Sequence, residues 1–366
     1  MEDGKKTIMI YEKKITVVTH PNIAFTKYWG KRNKEFILPW MSSNSVTLGG
    51  NPNPGDNFNT VTTVETGPIV LSDILYLNGR FIDSNTSEYT NVAKFLEKAR
   101  QRYNIPKLKI TSSNNFPTGA GIASSASGFA ALAYAIDKVC GLNLDYKDLS
   151  ILARLGSGSA TRSILGGFNT WEKGKKADGS DSCIKQIADE NYWPNFRIIV
   201  CITTEEEKEK KSRAGMDLSV KTSPLFRWWV KYAKTNIIKT TNGIINRDID
   251  QLGSAATECA KVLHAVALTT DPSIIYINDK TKEYIDLFEY MNKKLRIPVY
   301  PTLDGGPQVK GICEEQNVKE IIKCIEEKGK NISGTKIAVL KVGGGPKIID
   351  ESEIPLYLKQ PYMITL

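Results

Sequence analysis

The chain has only two histidines, His20 and His264, among its 366 residues. So few histidines exclude a metal site built from several imidazoles and leave few ways to assemble a Ser–His catalytic pair. The six cysteines include no CxxC pair, a spacing that favours free thiols in a reducing compartment. No apolar run approaches the ~18 residues of a membrane-spanning helix, and none follows the charged first residues as in a signal peptide. We therefore expect a cytoplasmic protein.

The composition is that of a folded protein with a basic surplus. Hydrophobic residues make up 41% of the chain and charged residues 24%, which is more apolar than a disordered chain. Lysine and arginine total 49 against 40 acidic residues, a formal net charge of +9. A basic chain can bind nucleic acid, an anionic membrane surface or small anions. Because acidic residues interleave with much of this charge, as in residues 205–211, a solvated lysine-rich surface explains it equally well.

The order of predicted elements indicates an α+β fold. Alternation and β-branched residues predict strands at residues 14–20, 45–48, 60–64, 69–78, 108–111, 196–203 and 336–342. Apolar residues three and four apart predict helices at residues 90–102, 129–139, 149–155, 221–240, 249–267 and 282–295. Residues 22–34 are predicted to form a loop. The length suits two domains, and we place their boundary near Trp193, so that residues 1–190 form one lobe and residues 191–366 the other.

The sharpest motif is a run of small residues from Pro117 to Gly128, directly before a strongly predicted helix. Small residues let the backbone approach a ligand closely, and the free amides at a helix N-terminus attract an anion. Ser124 and Ser125 add hydroxyl donors. The run has neither the Gly-Lys-Ser/Thr ending of a Walker A loop nor the spacing of a dinucleotide fingerprint. Close packing of a small-residue helix on a sheet is the alternative explanation.

Four further segments carry charge in glycine-rich or aromatic surroundings. In one Gly/Ser-rich segment, Arg162 follows two serines at a spacing that can surround an anion, and its guanidinium fork suits carboxylate or phosphate. Lys27 and Lys31 accompany aromatic residues, Asp304 stands in a Gly-rich turn, and Arg213 lies at a predicted start of a helix. Each segment alone is also explained as a turn or a solvated surface. Together they predict a cleft for a small phosphorylated or carboxylated substrate.

These motifs, in this order, resemble those of the mevalonate diphosphate decarboxylase family of the GHMP kinase superfamily. The most specific matches are KYWGK at residues 27–31 and GSGSATRS at residues 156–163. The resemblance covers most of the chain. It implies a GHMP kinase-like fold with a deep cleft between two lobes, a homodimer, and a carboxy-lyase that decarboxylates a phosphorylated mevalonate in isoprenoid biosynthesis. In that reaction phosphate leaves C3, a carbocation-like centre develops, and CO₂ is lost to form an alkene.

The resemblance also implies roles for individual residues. Asp304 would be the catalytic carboxylate that acts on the 3-hydroxyl and faces the developing positive charge. Lys27 would neutralise the 3-phosphate, and Arg162 would hold the C1 carboxylate. The residues implied around the 5-phosphate end are Tyr28, Lys31, Ser157, Gly158, Ser159, Arg213 and Met216. The residues that would face a nucleotide, if ATP is used, are Ser112, Asn114, Ser124 and Ser125. No metal-ligating residue is expected.

The chain departs from the family pattern on or near the implied nucleotide side. Met41 replaces the usual Asn, residues 119–121 read Gly-Ala-Gly in place of Ala-Ala-Gly, and the hairpin at residues 49–59 is rebuilt. The three implied catalytic residues are kept, so these changes bear on ATP use more than on decarboxylation. We therefore favour a mevalonate 3,5-bisphosphate decarboxylase that forms isopentenyl phosphate without a cofactor. The alternative is a decarboxylase of mevalonate diphosphate or phosphomevalonate that uses ATP and Mg²⁺, and the retained Ser124–Ser125 pair favours it.

Two other classes fit these residues less well. A mevalonate-type kinase that does not decarboxylate predicts the loss of Asp304 or Lys27, and both are present. An RNA-binding protein predicts a basic stripe with exposed aromatic residues, whereas these cations lie in Gly/Ser-rich segments. We expect no nucleic-acid or membrane partner, and a small phosphorylated carboxylate as the substrate. The sequence leaves open whether its 5-position carries one phosphate or two.

Overall fold

The computed structural model describes residues 13–49, 58–116, 124–204, 212–329, 332, 335–350 and 352–354. The strands are β1 (Lys13–Thr19), β2 (Asn22–Ala24), β3 (Lys31–Asn33), β4 (Leu38–Pro39), β5 (Ser43–Gly49), β6 (Thr60–Thr66), β7 (Ile74–Leu77), β8 (Arg80–Phe81), β9 (Lys109–Asn114), β10 (Phe168–Trp171), β11 (Ile184–Ala188), β12 (Phe196–Ile202), β13 (Tyr300–Thr302), β14 (Val309–Glu314), β15 (Lys336–Val342) and β16 (Lys347–Ile348).

The α-helices are α1 (Ser87–Arg100), α2 (Ser124–Cys140), α3 (Tyr146–Gly156), α4 (Ser212–Thr222), α5 (Phe226–Ile245), α6 (Ile249–Leu268), α7 (Asp279–Tyr290) and α8 (Glu315–Lys328). A 3-10 helix spans Gly158–Ser163, and a π-helical turn spans Met291–Leu295. Among the described residues, no helix is both long enough and apolar enough to cross a membrane.

Two large sheets organise these elements. One has the strand order β16-β1-β6-β9-β7-β8, and the other has the order β11-β10-β5-β15-β12-β14-β13 with β2 beside β5. The second sheet joins strands from both sides of residue 190, because Leu48 on β5 pairs with Val342 on β15. β16 returns to the first sheet, where Ile348 pairs with Val17. The two halves of the chain are therefore interlocked, and the division at residue 190 stays a prediction.

Helix α2 covers the first sheet and forms the core of that half. Its alanines and its apolar stripe are buried with the inward side chains of the sheet, as the burial of Ala130, Leu132 and Ile136 shows. Small side chains on α2 let its backbone lie close to the strands. The same packing leaves the first turn of α2, with Ser124 and Ser125, at the edge of this core. The helix predicted at residues 129–139 is thus confirmed, but it begins five residues earlier, at Ser124, and ends one residue later, at Cys140.

The local predictions failed at a proline and where a short element depends on distant partners. The helix predicted at residues 221–240 is two helices, because Pro224 removes a backbone donor and restricts the residue before it. Of the strand predicted at residues 69–78, only the β7 part forms. The loop predicted at residues 22–34 contains β2 and β3, and β2 forms because β5 pairs with it.

Candidate active site

A cavity of about 430 Å³ is lined by residues from both halves of the chain. It brings together every site residue named from the sequence, namely Lys27, Tyr28, Lys31, Ser112, Asn114, Ser124, Ser125, Ser157, Gly158, Ser159, Arg162, Arg213, Met216 and Asp304. Their individual roles stay predictions. Residues 117–123 of the small-residue run, residues 50–57 of the rebuilt hairpin and residues 205–211 of the charged run lie outside the described residues.

The cavity contains an ion pair between the buried Lys27 and the partly exposed Asp304. The Lys27 ammonium lies 2.9 Å from Asp304 Oδ1 and donates a second hydrogen bond of 2.7 Å to the carbonyl of Ala24. The Lys27 side chain is 1% exposed. Because β2 ends at Ala24 and pairs with β5, the sheet places this lysine directly. Asp304 follows β13 in a Gly-rich turn, where Gly305 is required because a Cβ there would lie 2.7 Å from Trp29.

A second lysine, which the sequence analysis missed, faces the other oxygen of the same carboxylate. Lys310 Nζ lies 3.7 Å from Asp304 Oδ2, and the Lys310 side chain is fully buried. Lys310 belongs to β14, a strand that the sequence analysis did not predict. A single lysine between Val309 and Gly311 in an apolar stretch after the turn was the available signal.

These cations decide the ionisation of Asp304. Burial alone raises its pKa, but the positive charges of Lys27, Lys310 and Arg162 outweigh burial and lower the pKa of Asp304 to about 2. The carboxylate is therefore ionised at neutral pH. An ionised carboxylate can accept a hydrogen bond from a substrate hydroxyl and stabilise a positive charge that develops nearby.

Arg162 is held in place by two polar side chains that the sequence analysis did not nominate. Its Nε donates to Asn22 Oδ1 at 2.9 Å, and its Nη1 donates to Ser43 Oγ at 3.1 Å. Burial lowers the pKa of Arg162 to about 10, and Asp304 partly opposes this effect, so the guanidinium stays charged at neutral pH. The 3-10 helix that carries Arg162 also lines the cavity. The guanidinium is thus oriented before any ligand binds.

A row of hydroxyl groups lies beside Arg162. Ser157 Oγ is 3.1 Å from Ser159 Oγ and 3.3 Å from Ser125 Oγ. Gly158 between the two serines is required, because a Cβ there would lie 2.7 Å from Trp171 Cη2 and 2.9 Å from Tyr28 Oη. The Tyr28 hydroxyl is buried and has no hydrogen-bond partner among the described residues. These groups can donate hydrogen bonds to phosphate oxygens.

Two further cations lie at the same end of the cavity and are already engaged by the protein. Lys31 Nζ is 3.7 Å from Asp217, whose other oxygen is 2.8 Å from Lys34. Burial lowers the pKa of Lys31, and Asp217 opposes this shift. Arg213 donates 2.6 Å hydrogen bonds to Asn91 Oδ1 and to the backbone carbonyl at the end of α3. Arg213 therefore ties α4 to α1 and α3 in addition to lining the cavity.

The residues named for a nucleotide line a more apolar part of the cavity. Ser112 Oγ is 2.8 Å from Thr62 Oγ1, and Asn114 Oδ1 accepts a 2.5 Å hydrogen bond from Thr60. Leu77 on β7 pairs with Ser112 on β9, and the cavity lining near them includes the apolar side chains of Leu75, Leu77 and Ile110. Ser124 begins α2, whose first-turn amides favour an anion.

The described part of the chain shows no cluster of side chains suited to hold a metal ion. No group of three or more His, Cys, Asp or Glu side chains is placed there to hold a metal ion. Mg²⁺ that accompanies a nucleotide binds mainly phosphate oxygens with one or two protein ligands, so it requires no such cluster. All six cysteines are unpaired, as the spacing predicts.

Two family models match successive regions of the chain. Residues 19–184 match the diphosphomevalonate decarboxylase-like N-terminal domain, and residues 198–339 match the mevalonate 5-diphosphate decarboxylase C-terminal domain. The chain is 36% identical to the diphosphomevalonate decarboxylase of Candida albicans over 349 residues. The matched region covers 92% of this chain and 95% of the relative.

Two solved structures show the same likeness in three dimensions. A structure of MDDEF in complex with MVAPP, AMPPCP and magnesium has a TM-score of 0.83 and 33% identity, and covers 93% of this chain and 100% of its own. A structure concerned with mevalonate diphosphate mediated ATP binding by the Enterococcus faecalis mevalonate diphosphate decarboxylase has a TM-score of 0.82 and 32% identity, with coverage of 93% and 100%. These likenesses confirm the predicted GHMP kinase-like α+β fold and the predicted carboxy-lyase class. The chain belongs to the diphosphomevalonate decarboxylase family.

Proposed function

We propose that the protein converts mevalonate 5-diphosphate and ATP into isopentenyl diphosphate, CO₂, ADP and phosphate. The named relatives support this activity, since they are diphosphomevalonate decarboxylases and one of them binds ATP. They do not support the ATP-independent decarboxylation of mevalonate 3,5-bisphosphate. The sequence alone favoured that reaction because several residues near the implied nucleotide site differ from the family pattern. The ATP-dependent alternative fits the named relatives better.

The observation that carries the proposal is the charge arrangement around Asp304. An ionised carboxylate lies between two buried ammonium groups at the cavity wall, and the Arg162 guanidinium lines the same wall. Such a site suits a substrate that is anionic at both ends and passes through a state with positive charge at its centre. It fits phosphoryl transfer followed by decarboxylation, because both steps depend mainly on positioning and electrostatic stabilisation.

In the first step the substrate 3-hydroxyl oxygen attacks the γ-phosphorus of ATP. The bond between the β–γ bridging oxygen and the γ-phosphorus breaks, and ADP leaves with that electron pair. Asp304 accepts the hydrogen bond from the 3-hydroxyl and directs its lone pair, while the Lys27 ammonium stabilises the negative charge of the transferring group. The hydroxyl proton passes to Asp304 as the oxygen–phosphorus bond forms, and Asp304 returns it to solvent.

In the second step the C3–O bond breaks and phosphate leaves with the electron pair. The positive charge that develops at C3 faces the ionised Asp304, which lowers the energy of that state. The C1–C2 bond then breaks, its electron pair forms the C2=C3 double bond, and C1 leaves as CO₂. Arg162, oriented by its contacts with Asn22 and Ser43, holds the C1 carboxylate in line for this step.

The other ends of the substrates occupy the remaining parts of the cavity. The 5-diphosphate meets Tyr28, Lys31 and the hydroxyl groups of Ser157 and Ser159. The nucleotide lies against the apolar lining, with its phosphates toward the first turn of α2, where Ser124 lines the cavity. Mg²⁺ that accompanies the nucleotide would supply charge neutralisation during phosphoryl transfer.

Substrate and nucleotide dependence test the proposal directly. Mevalonate 5-diphosphate with ATP and Mg²⁺ is expected to release CO₂ and ADP in equal amounts, and neither is expected without ATP. Mevalonate 5-phosphate with ATP is the matched substrate control, and we expect much slower turnover. CO₂ release from mevalonate 3,5-bisphosphate without nucleotide, combined with none from mevalonate 5-diphosphate and ATP, would overturn the proposal in favour of the ATP-independent reaction.

A further inference from the structure

The two lysines that face Asp304 are both buried, but they differ in their position relative to the cavity lining. Lys27 lines the cavity, whereas Lys310 is not part of the cavity lining and its side chain is fully buried. Lys27 contacts one carboxylate oxygen at 2.9 Å, and Lys310 lies 3.7 Å from the other. Asp304 therefore lies between a cation at the cavity lining and a cation behind that lining.

Lys310 is positioned by β14, the strand next to the edge strand β13 of its sheet. It lies near the start of β14, opposite Thr302 on β13 and Val200 on β12. Its ammonium lies near the turn that carries Asp304 and donates a hydrogen bond of 3.2 Å to the backbone carbonyl of Gln308. A buried ammonium costs several kcal/mol unless a charge partner compensates it. An apolar residue would fill this position without that cost, so the presence of a lysine here points to a role for its charge.

The charged groups around Asp304 can be compared one by one. Lys27 and Arg162 line the cavity, and Lys310 does not. The titratable groups that face Asp304 from α6 are His264 and Cys259. Burial lowers the pKa of His264 to about 4 and raises the pKa of Cys259 to about 12, so both are uncharged at neutral pH. Among the described groups facing Asp304, Lys310 is thus the charged one that lies outside the cavity lining.

Substrate binding changes the electrostatic environment of Asp304. The phosphate and carboxylate groups of the substrate bring negative charge toward Lys27 and Arg162, and that charge favours protonation of Asp304. Lys310 keeps its full interaction with the carboxylate, because it lies behind the cavity lining. Building on the proposed function, we propose that Lys310 is a positioning residue that keeps Asp304 ionised and correctly oriented while substrate occupies the cavity.

The test compares Lys310→Met, Lys310→Gln and Lys310→Arg with the wild type. Removal of the charge is expected to lower kcat about tenfold or more and leave the KM for both substrates within about threefold. The acid limb of the kcat profile should move to higher pH by about one unit or more, because the pKa of Asp304 rises. Lys310→Arg keeps the charge and should keep the limb near its wild-type position. Lys341→Met, on the exposed face of β15, is the control for loss of a lysine.

Other outcomes would count against the proposal. If the acid limb of the kcat profile is unchanged in Lys310→Met, the charge of Lys310 does not keep Asp304 ionised. The same conclusion follows if the limb moves as far in Lys310→Arg as it does in Lys310→Met. A KM that rises in step with the loss of kcat shows that Lys310 acts on binding. Failure of both neutral variants to fold, judged by thermal melting, assigns Lys310 to stability alone. The assay uses whichever phosphorylated mevalonate the wild type decarboxylates. If the ATP-dependent reaction proves wrong but another phosphorylated mevalonate is decarboxylated, the test of Lys310 still applies. A wild type that decarboxylates none of these substrates overturns both proposals.

Discussion

Arg162 Nε donates a 2.9 Å hydrogen bond to Asn22 Oδ1, and this contact joins two segments that are 140 residues apart. Asn22 also donates to Ser163 Oγ at 2.8 Å and to the Ser159 carbonyl at 3.1 Å. One asparagine on β2 therefore holds both the guanidinium and the backbone of the 3-10 helix. The orientation of Arg162 depends on this asparagine as much as on its own neighbours.

Asn22→Ala is expected to lower kcat/KM about tenfold and the free energy of unfolding by about 1–3 kcal/mol. The reason is that the substitution leaves buried donors and acceptors without partners. Steady-state kinetics and urea unfolding measure the two effects. Arg162→Lys is the comparison, because a lysine keeps the charge and loses the fork. Wild-type kinetics in Asn22→Ala would show that Asn22 does not orient Arg162.

Asp304→Asn is expected to reduce CO₂ release by about 10³-fold or more, because the uncharged amide cannot stabilise positive charge at C3. The unfolding free energy should fall by up to about 3–5 kcal/mol, since two buried ammonium groups lose their counter-ion. Asp73→Asn is the control, because Asp73 also pairs with two cations, Arg100 and Lys107, and does not line the cavity. Turnover retained in Asp304→Asn contradicts its catalytic assignment.

Tyr28→Phe is expected to raise the KM for mevalonate 5-diphosphate about three- to tenfold without lowering thermal stability. The Tyr28 hydroxyl is buried without a hydrogen-bond partner among the described residues, so its removal breaks no such bond within the protein and removes a donor for substrate. Tyr300→Phe is the matched control, because the Tyr300 hydroxyl bonds Asp250 at 2.5 Å outside the cavity. It should affect stability alone. An unchanged KM in Tyr28→Phe would mean that this hydroxyl does not contact substrate.

Gly158→Ala is expected to lower kcat/KM at least about tenfold and to destabilise the fold by about 1–3 kcal/mol. The added methyl would lie 2.7 Å from Trp171 and 2.9 Å from the Tyr28 hydroxyl, so the row of hydroxyl groups must shift. Gly344→Ala provides the control, because the nearest atom to its new methyl is 3.6 Å away. Equal effects of the two substitutions would contradict the steric explanation.

Stability is expected to fall as pH decreases from about 6.5 to about 4, partly because of His264. Burial lowers the pKa of His264 from 6.5 to about 4, so within this window the unfolded chain binds a proton that the folded protein does not. This linkage removes up to about 2 kcal/mol by pH 5. Urea unfolding at pH 7.5 and pH 5.0 should show a smaller loss in His264→Gln than in the wild type. An equal loss would assign the pH dependence to other groups.

The sequence motifs named residues that the fold brings to one cavity, while their roles stay predictions. The motifs that contain Lys27, Arg162 and Asp304 predicted anion-binding groups and a carboxylate, and every residue named from them lines one cavity. Helix α6 was predicted at nearly its observed position, and the helix predicted at residues 129–139 forms the larger part of α2. These successes share a physical cause, since apolar periodicity, glycine and clustered donors act over a few residues and leave a local pattern.

Tertiary structure alone decided which groups face one another. Lys310 meets Asp304 only because β13 and β14 pair across the turn, and a lone lysine in an apolar strand has no local pattern that names its partner. The contact between Lys27 and Asp304 spans 277 residues. The sequence by itself determined the set of reactive groups and the helices that carry some of them. The strand pairing determined which charges are buried together, because burial and Coulomb attraction depend on distances that the order of residues along the chain does not specify.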